Sequence, residues 1–364
     1  MKKIYILVGV FILAIMTGIF VINISEVDTE VTEKATKVGV ILNGEKDDGS
    51  WSQSHYDGLE KTAASLNLAI IYKENVTDDK VPALIDEFAA KGCEIIIANS
   101  FEFGDSMSAG AEKYPEIYFY HATGVDEGKN YSSYFGRMYQ IRYLCGIAAG
   151  LQTKTNEIGY VAAFPISEVN RGINAFTLGV RKVNPDAVVY VDWTNSWVDD
   201  DAAETAAESL LDRHNIDLIA MHTDSLKPLE IAEKRDVMSI GYNVDNSSSY
   251  PETFLTAAVW DWEKFYTPNI LRCLQGKFEG GHYWESIETG IVSLAPFTEL
   301  AGDGVAEIVA QEQERLCNGN YDVFYGPIVD QEGKIRVAEG ESMTDQKMLN
   351  EFDWYVEGVV IDEE

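Results

Sequence analysis

From Lys37 onward, apolar runs of strand length alternate with amphipathic stretches of helix length, and this alternation leaves few folds open. Lys37–Leu42, Leu68–Tyr72, Glu94–Ala98 and Ile117–His121 read as strands. Between them, Ser52–Ser65, Val81–Lys91 and Ser106–Lys113 read as helices. In the second of these, Val81, Leu84, Ile85 and Phe88 share one face. Near-continuous apolar strands separated by helices dictate a parallel sheet covered on both faces, because parallel strands need a crossover between them.

The rhythm then restarts. Ile158–Ala162, Val188–Asp192, Leu218–Met221, Val237–Gly241 and Phe254–Val259 read as strands. Asn170–Val183, Ala202–Asp212 and Lys227–Lys234 read as helices. Met138–Gly150, a helix rich in small residues, lies between the halves. The chain therefore reads as α/β, with two lobes of similar design. Lobe one spans residues 37–135 and lobe two residues 136–295, with hinge crossings. Residues 296–364 are expected to cross back toward lobe one. Residues 1–36 stand apart: Lys2 and Lys3 precede an uncharged run, Ile4–Ile24, and acidic residues follow. That order reads as an export signal or uncleaved membrane anchor with a polar tether, leaving the remainder on the outer face of the cytoplasmic membrane, secreted or periplasmic. No cysteine follows the run, so lipid attachment there is not expected.

Charge excludes one large class of partner. The 28 Lys and Arg face 60 Asp and Glu, a net charge of −32 that repels nucleic-acid backbones. The chain carries no nucleophile elbow, phosphate loop, dinucleotide fingerprint or zinc-protease motif. Its histidines and cysteines lack metal-ligand spacing, so no metal, cofactor or catalytic residue is expected. Cys273 and Cys317, each just ahead of a glycine, could pair, and Cys93 and Cys145 read as small buried apolar residues; free buried cysteine is the commoner reading for all four.

In open parallel sheets, ligands sit beyond the carboxyl ends of the strands. Those ends carry Asp47–Trp51, Asn99–Phe101, His121–Gly124, Phe164–Pro165, Trp193–Trp197, His222–Ser225, Tyr242–Asp245 and Trp260–Trp262. Five of the seven tryptophans fall there, beside short polar acceptors, which suits a flat ligand with a hydrogen-bonding edge. The candidate ligand contacts are Asp48, Trp51, Phe101, His121, Asn195, Trp197, Asp224, Asp245, Trp260 and Trp262. Each also has an ordinary role open to it. A strand-end tryptophan can be rim packing, and Asp48, Asp224 and Asp245 can cap turns or helices. His121 can be a satisfied core histidine.

Asp48-Gly49-Ser50-Trp51-Ser52-Gln53, Tyr134-Phe135-Gly136-Arg137, Tyr143-Leu144-Cys145-Gly146, Glu168–Phe176, Asn195-Ser196-Trp197, His222–Ser225 and Leu294–Phe297 together make the chain resemble the basic membrane protein family. These are substrate-binding components of ABC transporters for purine nucleosides and related compounds. The resemblance implies a type I periplasmic-binding-protein fold, two Rossmann-like lobes that close on a small ligand, with a membrane permease as partner. The family's first-turn aspartate and aromatic fall on Asp48 and Trp51, and its ribose-contacting aspartate on Asp245. Where its nucleoside binders carry a lysine, Trp260-Asp261-Trp262 stands; where they carry a base-reading aspartate, His121-Ala122-Thr123-Gly124 stands. These departures resemble the branch that binds free adenine. The expectation is a non-enzymatic, extracytoplasmic purine-binding protein, adenine foremost. An intact nucleoside or a membrane-tethered sensor is the alternative, and a purine-acting enzyme comes after both.

Overall fold

The computed structural model describes residues 35–124, 126–318 and 321–362. The apolar run Ile4–Ile24 lies outside the described residues. No helix among those described is long and apolar enough to cross a membrane.

The first sheet contains β1 (Thr36–Ile41), β2 (Leu68–Lys73), β3 (Ile95–Ala98), β4 (Tyr118–Ala122), β5 (Glu127–Gly128) and β6 (Tyr131–Gly136). Every residue of β3 is buried, as a central strand covered on both faces requires. Three helices cover this sheet: α1 (Trp51–Leu66), α2 (Val81–Ala90) and α3 (Gly104–Lys113). The chain then crosses into α4 (Met138–Gln152) and the second lobe. There it forms β7 (Glu157–Ala162), α5 (Ser167–Val183), β8 (Val188–Trp193), α6 (Asp200–Arg213), β9 (Leu218–His222), α7 (Lys227–Arg235), β10 (Met238–Asn243) and β11 (Phe254–Trp260). It returns through α8 (Glu263–Leu274), which packs on α1, to β12 (Gly281–Glu285). A third crossing leads to β13 (Val292–Leu294).

The first sheet runs β12-β6-β4-β3-β1-β2, with β5 antiparallel on β6. The remaining pairs in it are parallel. The two-lobed α/β architecture read from the sequence is therefore the observed one. Small residues in α4 have a steric reason. A Cβ on Gly146 would lie 1.9 Å from the Phe176 carbonyl oxygen, and one on Gly179 would lie 2.1 Å from that of Tyr143. Glycine on both helices lets α4 and α5 meet backbone to backbone.

The C-terminal segment departs from expectation. It comprises α9 (Val305–Asn318), β14 (Ile328–Val329), β15 (Ile335–Val337), α10 (Asp345–Asn350) and β16 (Val359–Ile361). β16 joins the second sheet, whose order is β13-β11-β10-β9-β7-β8-β16. α9 packs on α4 and α10 on α5. α9, α10 and β16 thus pack on elements of lobe two, where the free edge of β8 and the faces of α4 and α5 need covering. The strand that does return to the first sheet is β12. Cys273 and Cys317 are not paired: all four cysteines are free.

Candidate functional site

A cavity of about 850 Å³ lies where the strands of both sheets end. The first lobe brings Asn43, Trp51, Asn99, Ser100, Phe101 and Phe135 to it, and the second brings Phe164, Glu168, Arg171, Trp197, Asp224 and Tyr242. Both sheets point their carboxyl ends inward, as open parallel sheets with a ligand crevice do.

Trp51 opens α1 and lines the cavity. Its indole Nε1 donates to the Asn99 carbonyl at 2.7 Å, which anchors it to the end of β3. Behind it stands an aromatic block. Trp260 and Trp262 stack 4.4 Å apart with planes 12° from parallel. Both meet Trp51 edge to face, at 5.8 and 5.5 Å. Trp262 Nε1 donates to Ser54 Oγ at 3.0 Å, and Trp260 Nε1 donates to Asn243 Oδ1 at 3.0 Å. These two tryptophans therefore back Trp51 and do not line the cavity.

Asp48 is a scaffold for the turn. Its Oδ1 accepts from the backbone N–H of Ser50 at 2.8 Å and of Gln53 at 3.0 Å, and its Oδ2 from that of Ser52 at 3.0 Å. Burial raises its pKa against the pull of these donors. His121 is buried between two partners, the Ser100 carbonyl at 2.7 Å and the Tyr131 hydroxyl at 2.9 Å. Asp245 is exposed and its Oδ1 accepts from the Ser247 N–H at 2.9 Å, a local turn. Asn195, exposed at a left-handed φ of 52°, faces a separate depression of about 630 Å³. Of the residues singled out from the sequence, Trp51, Phe101, Trp197 and Asp224 come together around the cavity. The other six support them or stand apart.

Trp197 is held by its backbone: its carbonyl accepts from the Asp224 N–H at 2.8 Å and from Thr223 Oγ1 at 2.7 Å. Asp224 Oδ1 accepts from Asn243 Nδ2 at 2.9 Å. Burial, reinforced by the charge of Asp48, pushes the Asp224 carboxyl well above the usual carboxylate range.

Glu168 and Arg171 are among the cavity residues that escaped the strand-end rule, because they sit inside the first turns of α5 rather than in a loop. Glu168 Oε1 lies 3.3 Å from His222 Nε2, and His222 Nδ1 lies 3.1 Å from the Tyr160 hydroxyl. Burial, with the Arg142 charge, lowers the His222 pKa to about 4, so the ring is neutral. It donates to Glu168 through Nε2 and accepts from Tyr160 at Nδ1. Burial raises the Glu168 pKa, but the His222 hydrogen bond and the charges of Arg171 and Arg142 outweigh it, and the net direction is down. Arg171 is buried and donates through Nη1 to the Met348 carbonyl. The signal for both was their place in Glu168–Phe176, the segment that carried the resemblance, where a buried charge on a helix facing the other lobe would have marked them. Among the described residues, no group of three or more His, Cys, Asp or Glu is placed to hold a metal ion.

The profile of the PnrA-like ABC transporter substrate-binding proteins matches residues 35–319. The chain is 33% identical over 330 residues to a purine-binding protein of Brucella abortus, covering 90% of this chain and 93% of that one. It is 36% identical over 313 residues to a putative ABC transporter glucose-binding protein of Haloferax volcanii, covering 86% and 77%. An ABC transporter solute-binding protein of Conexibacter woesei shares the fold, with a TM-score of 0.67 at 20% identity, covering 79% of this chain and 98% of its own. The chain belongs to the PnrA-like family of ABC transporter substrate-binding proteins.

Proposed function

We propose that the protein binds a purine, adenine foremost, in the cavity between its lobes and passes it unchanged to a membrane permease from the outer face of the cytoplasmic membrane. The observation that carries this reading is the joint presence of Trp51 from one lobe and Trp197 from the other on one cavity, with Asp224 beside them. Aromatic faces on both sides suit a flat ring, and stacking contributes about 0.5–1.5 kcal/mol beyond area burial. The purine-binding relative in Brucella abortus supports the ligand class. Adenine is put ahead of its nucleosides because no lysine is among the residues lining the cavity, whereas the resembled nucleoside binders use one for the ribose.

An intact nucleoside is the second reading. It is favoured by the position of Trp260 and Trp262 behind Trp51, where they do not fill the sugar's volume. Calorimetric titration with adenine, hypoxanthine, adenosine, inosine and glucose separates the readings. Adenine binding at least about tenfold tighter than adenosine, roughly 1.4 kcal/mol, is the expected result. Tighter adenosine binding would transfer the assignment to the nucleoside, and binding of glucose alone would remove purines from it. Chromatography after long incubation should recover the ligand unchanged. For the membrane reading, cell fractionation should find the protein with the membrane or outside the cell. Full-length protein in the cytosol would overturn it.

A further inference from the structure

Glu168 and Arg171 stand one helical turn apart at the start of α5, and both line the cavity. Each is anchored on its far side: Glu168 by His222 Nε2, Arg171 by the Met348 carbonyl and by the Trp284 ring, whose centre lies 5.2 Å from the guanidinium carbon. The anchors hold them apart, and no ion pair joins the two among the described residues. Beyond these anchors and the Tyr139 ring beside Arg171, no further hydrogen bond to either side chain is formed among the described residues, and neither has a sealed-off polar atom: their remaining polar atoms open to the cavity. Arg171 is only 3% exposed. A guanidinium this enclosed, with its free N–H groups open only to the cavity, is met best by an acceptor on a bound ligand. A ligand edge with a donor beside an acceptor answers both charges at once.

We propose that Glu168 and Arg171 read the hydrogen-bonding edge of the ligand, the carboxylate accepting from an exocyclic amine and the guanidinium donating to the adjacent ring nitrogen. The assignment rests on the purine reading above and deepens it by naming an aminopurine edge. It also gives the C-terminal segment a part in the site, because Met348 in α10 aims the guanidinium.

The test is calorimetry on wild type, E168Q, R171M and R171K with adenine and with unsubstituted purine, which lacks the amine. In E168Q the amide oxygen still accepts from His222, while its NH₂ meets the incoming amine donor to donor. Adenine should lose at least about tenfold in affinity and unsubstituted purine less than about threefold. R171M should weaken both ligands by about tenfold or more, and R171K should follow it because an ammonium lacks the planar fork. Melting curves check that each variant folds; E168Q carries the test if the arginine variants do not. Equal losses of the two ligands in E168Q, or none, would overturn the pair while leaving purine binding intact. Wild type binding neither purine would overturn the ligand class itself.

Discussion

Asn243, at the end of the second lobe's β10, donates from Nδ2 to Ser50 Oγ at 2.9 Å, directly ahead of the first lobe's α1. The same Nδ2 donates to Asp224 Oδ1 at 2.9 Å, while Oδ1 accepts from Trp260 Nε1 at 3.0 Å. One fully buried amide thus joins a cavity carboxyl, the aromatic block behind Trp51 and both lobes. Its backbone φ of 71° is a conformation that asparagine tolerates and most side chains do not. N243A should destabilise the protein by about 2–3 kcal/mol, from orphaned buried partners and a strained φ. The unliganded variant should also scatter as a more open particle. A wild-type melting temperature and radius of gyration would dismiss the link.

The two layers of tryptophan should respond differently. W51A removes a cavity face and should weaken adenine binding by about tenfold or more. Trp262 is fully buried behind it, so W262F should lower the melting temperature while shifting affinity by less than about threefold. Calorimetry and thermal melts on the two variants separate these roles. Equal affinity losses would mean that the rear indole contacts the ligand.

His222 should make the fold acid-sensitive. Its folded pKa of about 4 lies below the ordinary 6.5, so below pH 6.5 the unfolded chain takes up the proton first. Stability is complete above that pH and falls as the pH drops toward 4, by on the order of 3 kcal/mol. Thermal melts between pH 7 and pH 4.5 should show the decline, and H222N should flatten it. A variant with the wild-type slope would assign the acid sensitivity to other groups.

Asp224 acts with the opposite sign. Its folded pKa is raised, so the native state holds a proton that the unfolded chain releases, and stability is lost as pH rises through the folded pKa. D224N keeps an oxygen to accept from Asn243 and stays neutral in its buried site without taking up a proton. It should raise the melting temperature at pH 7 and leave it nearly unchanged at pH 4. D224A should instead weaken adenine binding by about tenfold, through the lost polar partner. A D224N melting temperature at or below wild type at pH 7 would show that burying the carboxyl costs the fold no stability at that pH.

The order of strands and helices, the two lobes and the placing of a cavity at the strand ends were legible in the residues, because apolar periodicity and crossover length are local properties of the chain. So were the places of Trp51, Phe101, Trp197 and Asp224, which stand in the turns and helix starts that come after strands. Which strand-end residues turn inward was not legible. Trp260 and Trp262 look like ligand contacts on paper, yet α8 folds back onto α1 and turns them into the support for Trp51. Glu168 and Arg171 look like ordinary residues of a helix start, yet α4 and α10 bury that helix and leave its charges facing the cavity. Spacing along the chain determines which residues share an element and which follow a strand. Only packing between distant elements, such as β16 against β8 or Asn243 against Ser50, decides which face water, which face each other and which face a ligand.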